Sequence, residues 1–389
     1  MTKGLESRGG SNVRVAIQQR VLASYRAMFF ERLAVEVNGL DVFSGEPRPD
    51  EAISTVRLDH SSIHHHRARN FHIGRGHFYL CWQSGLRTWL TQVRPDVLIT
   101  EANPRILSNW WILIFRSRTD VPIIGWGLGV MHDQHRPMKP LRRAIMRLFF
   151  SQFDAFIGYS RRAVADYIEF GVPAERVHLA INAVSEASPV GRMGSTGISV
   201  KPMLSTLKML NQPTLIYVGR LLPAKLVDVL IEAWHGLSMR ATLVIVGDGP
   251  YRRDLEEIAA ASGRKDIFFV GDQRGDNLAA FFRMADLAVM PGAGGLAIQE
   301  AFSHGVPVVA GRKGDGSEED LITDGETGFF LSDETPNHLR EVLSDALTNR
   351  SLLRQMGAKA RKKVVLDANV TEMARSFVGA IQSVHSGDP

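Results

Sequence analysis

Between Ala285 and Ala310 the hydrophobic pattern changes its period twice. Leu287 to Met290 form a continuous apolar run that ends at Pro291 and the turn Gly292-Ala293-Gly294-Gly295. Leu296, Ile298, Ala301 and Phe302 then recur at helical spacing as far as Ser303, with Glu300 and His304 as polar exceptions, and a second apolar run follows from Val306 to Ala310. Strand, glycine turn, helix and strand in that order make a βαβ unit, the building block of parallel sheets. The same order precedes it. Thr214 to Val218 reads as a strand that passes through a loop into a helix at Val227 to His235. Ala241 to Val246 reads as a strand ending in Gly247-Asp248-Gly249-Pro250, ahead of a charged helix that starts near Tyr251, and Phe268 to Gly271 closes a further short strand.

In the first half, Val13 to Ile17, Val97 to Thr100, Pro122 to Gly125 and Asp154 to Tyr159 read as strands, with helices at Tyr25 to Val37 and Arg161 to Phe170. Val177 to Val184 has the form of a short strand and turn. Towards the C-terminus Asn337 to Asn349, Ser351 to Val365 and Thr371 to Val384 have helical spacing. Serine, glycine and proline are frequent from Glu186 to about Pro202, which marks a linker. The expected organisation is a flexible tail (1–12), a first α/β domain (13–185), a linker (186–212), a second α/β domain (213–365) and a C-terminal helical segment (366–389).

A chain of 389 residues is long enough for two domains with separate cores, and its 44% hydrophobic and 22% charged content is that of a globular protein. The single cysteine, Cys81, excludes an intrachain disulfide and favours a reducing compartment. It lies in the apolar run His77 to Trp82 and is read as a small buried hydrophobe. The best apolar stretch, Trp110 to Phe115, is cut short by Arg116 and cannot span a bilayer. The first twelve residues are polar and glycine-rich with no signal-peptide core, so a cytoplasmic location is expected.

Several groups of residues carry candidate chemistry. Arg220 and Lys225 share the loop at the C-terminal end of the strand Thr214 to Val218, where ligands of open α/β sheets bind, and a guanidinium fork with an ammonium suits a diphosphate. The glycine turn at 292–295 has two readings: a phosphate site at a helix N-terminus, or a tight corner between strand and helix. Six of the thirteen histidines fall between Asp59 and His77, where His60 and His64 could share a helical face around a metal. The interspersed Arg67, Arg69 and Arg75 repel a cation, and the other reading is a solvated basic surface. The strand Val97 to Thr100 delivers Glu101, Asn103 and Arg105 to its C-terminal end as cleft-lining residues. Lys139 to Phe153 reads as a basic amphipathic helix, with Lys139, Arg142, Arg143 and Arg147 beside Leu141, Ile145, Leu148 and Phe149. Such a helix lies on an anionic membrane surface or packs on a core with a solvated basic face. The net charge of +5 leans towards the membrane, and no motif points to nucleic acid.

The segments VGRLLPAK (Val218–Lys225), LVIVGDGP (Leu243–Pro250), FVG (Phe269–Gly271) and GGLAIQEAFSHGVPVV (Gly294–Val309) together resemble the C-terminal half of retaining, GT-B-fold glycosyltransferases of family 4 (glycosyl transferases group 1). The match runs from Pro213 to about Lys363 in the family's order and spacing. A looser likeness to enzymes of surface polysaccharide assembly lies in Tyr25 to Phe30. The resemblance implies an α/β GT-B fold, two Rossmann-like domains facing each other across a cleft, with the last helix crossing back to the first domain. It implies metal-independent transfer of a sugar from a nucleoside-diphosphate sugar to a glycan or lipid-linked acceptor, with no cofactor. Arg220, Lys225 and Glu300 are the implied catalytic set. Gly219, Arg220, Lys225, Gly247, Val270, Gly294, Gly295, Leu296 and Glu300 are the implied donor-binding set, with Glu300 on the nucleotide ribose and the 294–296 backbone on the distal phosphate and sugar. Arg26, Glu101, Asn103, Arg105 and His132 fall on the acceptor side. The family's first glutamate, eight positions before Glu300, is replaced by Gly292, and its loop histidine falls on Leu128, with His132 four residues on. These departures leave two rivals open: a non-catalytic sugar-nucleotide-binding partner of another transferase, and a GT-B enzyme of the nucleotide-sugar 2-epimerase type.

Overall fold

The computed structural model describes residues 13–51, 53–116, 119–130, 139–184, 205, 212–312 and 316–385. The chain divides into two compact units, Met1–Val184 with Val370–Pro389, and Ser185–Asn369. Most of the expected linker, the tail 1–12 and His132 lie outside the described residues.

The first unit is built on nine strands: β1 (Val15–Val21), β2 (Leu40–Gly45), β3 (Ile63–Arg67), β4 (Arg69–Ile73), β5 (Leu80–Ser84), β6 (Val97–Glu101), β7 (Ile123–Gly127), β8 (Ala155–Gly158) and β9 (Val177–Leu179). Seven of them form a parallel sheet in the order β3-β2-β1-β6-β7-β8-β9, while β4 and β5 pair as a separate antiparallel hairpin. Helices cover both faces, and strands buried on both sides read as continuous apolar runs, as Val97-Leu98-Ile99 does. On one face Phe29, Trp126 and Phe377 meet, with Phe377 4.7 Å from the Phe29 ring and 4.8 Å from that of Trp126. This contact joins the helix Ala27–Glu36 to the last helix of the chain, Val370–His385, which therefore belongs to the first unit. Trp89, Phe149, Phe150, Phe156 and Tyr167 fill the other face.

The second unit is a six-stranded parallel sheet in the order β12-β11-β10-β13-β14-β15, made of β10 (Thr214–Val218), β11 (Thr242–Val246), β12 (Ile267–Gly271), β13 (Leu287–Met290), β14 (Val308–Ala310) and β15 (Gly328–Phe330). The helices Val227–His235 and Leu296–Ser303 take the expected bounds.

One device sets register in both sheets. An aspartate just before a strand accepts a hydrogen bond from the first N–H of the neighbouring strand. Asp96 accepts from Arg14 at 2.9 Å, Asp154 from Ile123 at 2.8 Å and Asp286 from Thr214 at 3.0 Å. In the parallel ladder these N–H groups are otherwise terminal orphans, so the aspartate pins the pair of strands at one end. Asp286 also takes both arms of Arg350 at 2.9 Å.

Two expectations need correction and one holds. β1 continues past Ile17 to Val21, because Gln18 and Gln19 are 0% and 3% exposed and Gln83 bonds the Gln18 side chain and the Gln19 carbonyl in a buried polar network. The histidine-rich stretch is a strand and not a helix, so His60 and His64 share no helical face. His65 bonds Ser44 at 2.9 Å and His66 lies 3.2 Å from Asp41, and among the described residues no group of three metal-type ligands converges. Cys81 is fully buried, where burial raises its thiol pKa, in keeping with a packing role.

Two consequences are measurable. Asp286→Ala is expected to lower melting of the second unit by roughly 4–8 °C, about 2 kcal/mol, because it strands the Arg350 guanidinium and the Thr214 N–H. A calorimetric scan showing no shift would remove the clamp's energetic weight. His304, stacked on Phe282 at 5.2 Å, has its pKa lowered to about 4 by burial, with Arg283 and Arg361 adding to the shift. The unfolded chain binds that proton first, so stability should fall as pH drops from about 6.5 towards 4. His304→Phe should flatten that part of the melting-temperature profile, and an unchanged slope would assign it to other groups.

Candidate functional site

In the second sheet the strand order reverses between β10 and β13, and the crevice at such a reversal is where open α/β sheets hold ligands. The loop after β10 carries Gly219, Arg220 and Lys225; the turn after β13 carries Gly292 to Gly295 and opens the helix that bears Glu300. Gly247 and Val270 end the two strands on the β11 side.

These loops are in backbone contact, and glycine is what permits it. Gly247 has φ +136°, and a Cβ there would fall 1.9 Å from the Gly219 carbonyl oxygen; one on Gly249 would fall 2.3 Å from that of Leu221. The Gly219 N–H donates to Val246 and the Leu221 N–H to Asp248, both at 3.0 Å. Gly292 does the same across the crossover. A Cβ there would lie 2.5 Å from the Ala224 carbonyl oxygen and 2.9 Å from Lys225 Cα, and its N–H donates to the Lys225 carbonyl at 3.2 Å. The glycine that replaces the family's first glutamate therefore sits where no side chain fits without moving the lysine loop.

Lys225 ends the 3-10 turn Pro223–Lys225 and is followed by Leu226 at φ +54°, a left-handed conformation unfavourable for a branched side chain. Its ammonium donates to the Ala293 carbonyl of the glycine turn. Arg220 is exposed at the same edge, with its carbonyl held by the Tyr217 hydroxyl at 3.1 Å. Glu300 is half-buried, one turn after Leu296. The Val270 carbonyl accepts from Gln273 Nε2 at 2.7 Å.

The two N–H groups that open the helix Leu296–Ser303 already have a partner. Gly294 and Gly295 both donate to Glu318 Oε1 at 3.0 Å. Glu318 is 2% exposed, and among the described residues its Oε2 has no hydrogen-bond partner. Sequence reasoning passed over this residue, since Gly316-Ser317-Glu318-Glu319-Asp320 reads as an acidic helix start with its charges in water.

In the first unit Arg26, Glu101, Asn103, Arg105, Leu128 and Tyr159 line one cavity of about 400 Å³ at the C-terminal ends of β6 and β7. Four of the five acceptor-side candidates are thus brought together; His132, the fifth, is outside the described residues. Arg26 is 8% exposed, its guanidinium 4.5 Å from the Trp126 ring centroid and 4.9 Å from that of Tyr159. Its Nη2 donates to the Tyr159 hydroxyl at 2.6 Å, while Nη1 is buried without a partner among the described residues. Burial pushes the Tyr159 phenol pKa up, so it meets the arginine as a neutral acceptor. Glu101 accepts the Arg20 N–H, and the Asn103 side chain caps the turn by accepting from the Arg105 N–H at 3.1 Å. A larger cavity, about 630 Å³, opens near Arg14, Arg94, Asp96 and His385 at the opposite ends of the strands, away from the sheet edge that holds ligands in such folds.

Comparison with known proteins agrees with this division. Residues 1–183 match the glycosyl transferase 4-like domain and residues 205–363 the glycosyl transferases group 1 domain. A GDP-mannose-dependent alpha-(1-6)-phosphatidylinositol monomannoside mannosyltransferase of Mycobacterium tuberculosis is 33% identical over 168 residues, which is 40% of this chain and 43% of that protein. Sulfoquinovosyl transferase SQD2 of Arabidopsis thaliana is 33% identical over 148 residues, 36% of this chain and 28% of that one. The chain thus spans less than half the length of these relatives. Among solved structures, sucrose-phosphate synthase from Thermosynechococcus elongatus superposes with a TM-score of 0.74 at 18% identity, covering 97% of this chain and all of the other. Anabaena HepE in complex with UDP does so with a TM-score of 0.71 at 14% identity, covering 95% and 100%. The first part of the chain is thus similar to the glycosyl transferase 4-like domain and the second to the glycosyl transferases group 1 domain, on the GT-B fold of these solved structures.

Proposed function

We propose that this protein transfers a sugar from a nucleoside-diphosphate sugar to a hydroxyl of a glycan or lipid-linked acceptor, with retention of anomeric configuration and without a divalent metal. The reading rests on one observation: the Arg220–Lys225 loop and the glycine turn before the Glu300 helix meet at the crossover of the second sheet. Arg220 and Lys225 supply positive charge for the diphosphate as the bond from the anomeric carbon breaks, a positioning and electrostatic role. Glu300 holds the ribose. The acceptor oxygen bonds to the anomeric carbon on the face the diphosphate leaves, and its proton passes to the departing phosphate oxygen. That route needs no carboxylate at position 292, where the backbone leaves no room for one. The mycobacterial relative is named for GDP-mannose and HepE was solved with UDP, so guanosine and uridine donors come first in a screen.

Against a panel of such donors, Lys225→Ala is expected to lower donor turnover roughly 30- to 100-fold, the weight of one charge-assisted contact to the diphosphate. Glu300→Ala should weaken donor binding about tenfold. Calorimetry and slow donor hydrolysis read the two effects. Binding without turnover, even with acceptors supplied, would favour the non-catalytic subunit that Gly292 suggests, and epimerised donor formed without acceptor would favour the epimerase reading. Absence of binding to every donor would reject the site.

The acceptor is proposed to be membrane-borne, with the protein at the inner face of a membrane in polysaccharide or glycolipid assembly. No described helix is long and apolar enough to cross a bilayer. The helix Pro140–Phe150 buries Met146, Phe149 and Phe150 but exposes Leu141, Ile145 and Leu148, at 74%, 44% and 58%, beside Lys139, Arg142 and Arg147. An apolar stripe flanked by cations suits an anionic lipid surface. Vesicles of anionic lipid should retain the wild-type chain in flotation, and Leu141→Asp with Leu148→Asp should weaken that at least about tenfold. Equal retention by neutral vesicles would reject the electrostatic part.

A further inference from the structure

The geometry points to Glu318 as the residue that binds the hydroxyls of the transferred sugar, an inference that rests on the donor site proposed above. Three observations lead there. The N-terminus of the helix Leu296–Ser303 does not present a vacant pair of N–H groups, because Gly294 and Gly295 are both bonded to one oxygen of the Glu318 carboxylate at 3.0 Å. The other oxygen of the same carboxylate is buried with no partner among the described residues, in a side chain 2% exposed. Position 292, at the start of the same turn, is closed to any side chain by the Ala224 and Lys225 backbone.

A phosphate on those amides would meet the carboxylate charge, and like charges in a site shielded from water repel strongly. The diphosphate is therefore assigned to Arg220 and Lys225, and the glycine turn is left for a neutral group. Leaving a buried acceptor without a donor costs about 1–3 kcal/mol, more if it is charged, and such a group calls for an explanation. A pyranose hydroxyl supplies the missing donor: it is neutral, it donates one hydrogen bond, and it adds no charge beside the carboxylate. Lys225 binds the Ala293 carbonyl while Glu318 binds the next two N–H groups, so the phosphate-directed cation and the sugar-directed carboxylate are set on consecutive residues of one turn. A carboxylate thus reaches the turn from the short helix Ser317–Leu321, while position 292 has no room for one.

The test compares the full-length wild type with Glu318→Gln, titrating UDP and GDP against UDP-glucose and GDP-mannose by calorimetry. Glutamine keeps the shape and can still accept from the Gly294 and Gly295 N–H groups, but it presents an amide NH₂ where the free acceptor was. The expected result is affinity for the plain nucleoside diphosphate within about threefold of wild type, with affinity for the matching sugar nucleotide reduced by about tenfold or more. Hydrolysis of the sugar nucleotide should fall at least in proportion. Tighter binding of the plain diphosphate in the variant would overturn the proposal, because Glu318 would then be an anion that the phosphates must displace. Wild-type affinity of the variant for both ligands would also overturn it and leave Glu318 a structural cap. Should Glu318→Gln melt well below wild type, Glu318→Asp, which retracts the carboxylate, is read by the same comparison. A wild type that binds no nucleotide defeats the donor site itself, a result separate from one in which the nucleotide binds and only the sugar contribution is unchanged.

Discussion

Close approach of backbone to backbone at the crossover of the second sheet is the constraint on which the candidate site depends. Gly247, Gly249 and Gly292 each sit where a methyl group would strike a carbonyl or Cα of the loop after β10. The loops after β10, β11 and β13 therefore lie against one another, and the hydrogen bonds at Gly219, Leu221 and Gly292 hold them there. Lys225 reaches the glycine turn because of this contact, and position 292 carries no side chain because of it. Catalytic geometry needs groups held to within a fraction of an ångström, and a rigid parallel sheet with tightly packed loops is how an α/β fold supplies that.

Where an element is defined by apolar periodicity and a turn residue, the sequence announces it. Thr214 to Val218, Val227 to His235, Leu287 to Met290 and Leu296 to Ser303 are continuous runs or helical stripes bounded by glycine or proline, and the structure gives them the same limits. The aspartates that open the strands at Val97, Ala155 and Leu287 are visible as well, although nothing local says that each bonds to the strand beside it. What stays hidden is polar burial. Gln18, Gln83, Thr100 and Asn109, all 0% exposed, bond one another beneath the ends of β1 and β6, and their satisfaction depends on partners up to 82 positions away. Gln18 and Gln19 therefore read as the end of a strand that in fact runs on to Val21. Glu318 was missed for the same reason. Between Ser317 and an exposed Glu319 it looks like any acidic residue of a first helical turn, and only its bonds to Gly294 and Gly295, across 24 and 23 positions, draw it inside.

The two sheets share a topology and differ in what stands at the crossover. In the first, the ends of β1 and β6 carry neutral amides and a hydroxyl in a closed network, with Glu101 capping the Arg20 N–H. Every one of those groups is paired, and a paired network in a region of low dielectric rigidifies without offering a binding site. The cavity of that unit lies to one side, at the ends of β6 and β7, where Arg26 stacks on Trp126 and Tyr159 with one nitrogen unpaired among the described residues. In the second unit the crossover itself is left open to chemistry, with a cation, exposed guanidinium and glycine turn in place of the network.

Unsatisfied buried polar atoms are rare because each raises the free energy of the fold, so their positions carry information. Arg26 Nη1 lies in a unit where a hydroxyl-bearing acceptor is expected, and Glu318 Oε2 in the unit where the sugar donor is expected. One is a donor and the other an acceptor. The arginine is permanently charged and is stabilised by the faces of Trp126 and Tyr159, so its spare N–H favours an oxygen that carries negative charge or a strong dipole. The carboxylate has the reverse requirement and favours a hydroxyl. In the proposed transfer a ligand and not the chain would complete each of the two, an acceptor oxygen at the arginine and a sugar hydroxyl at the carboxylate.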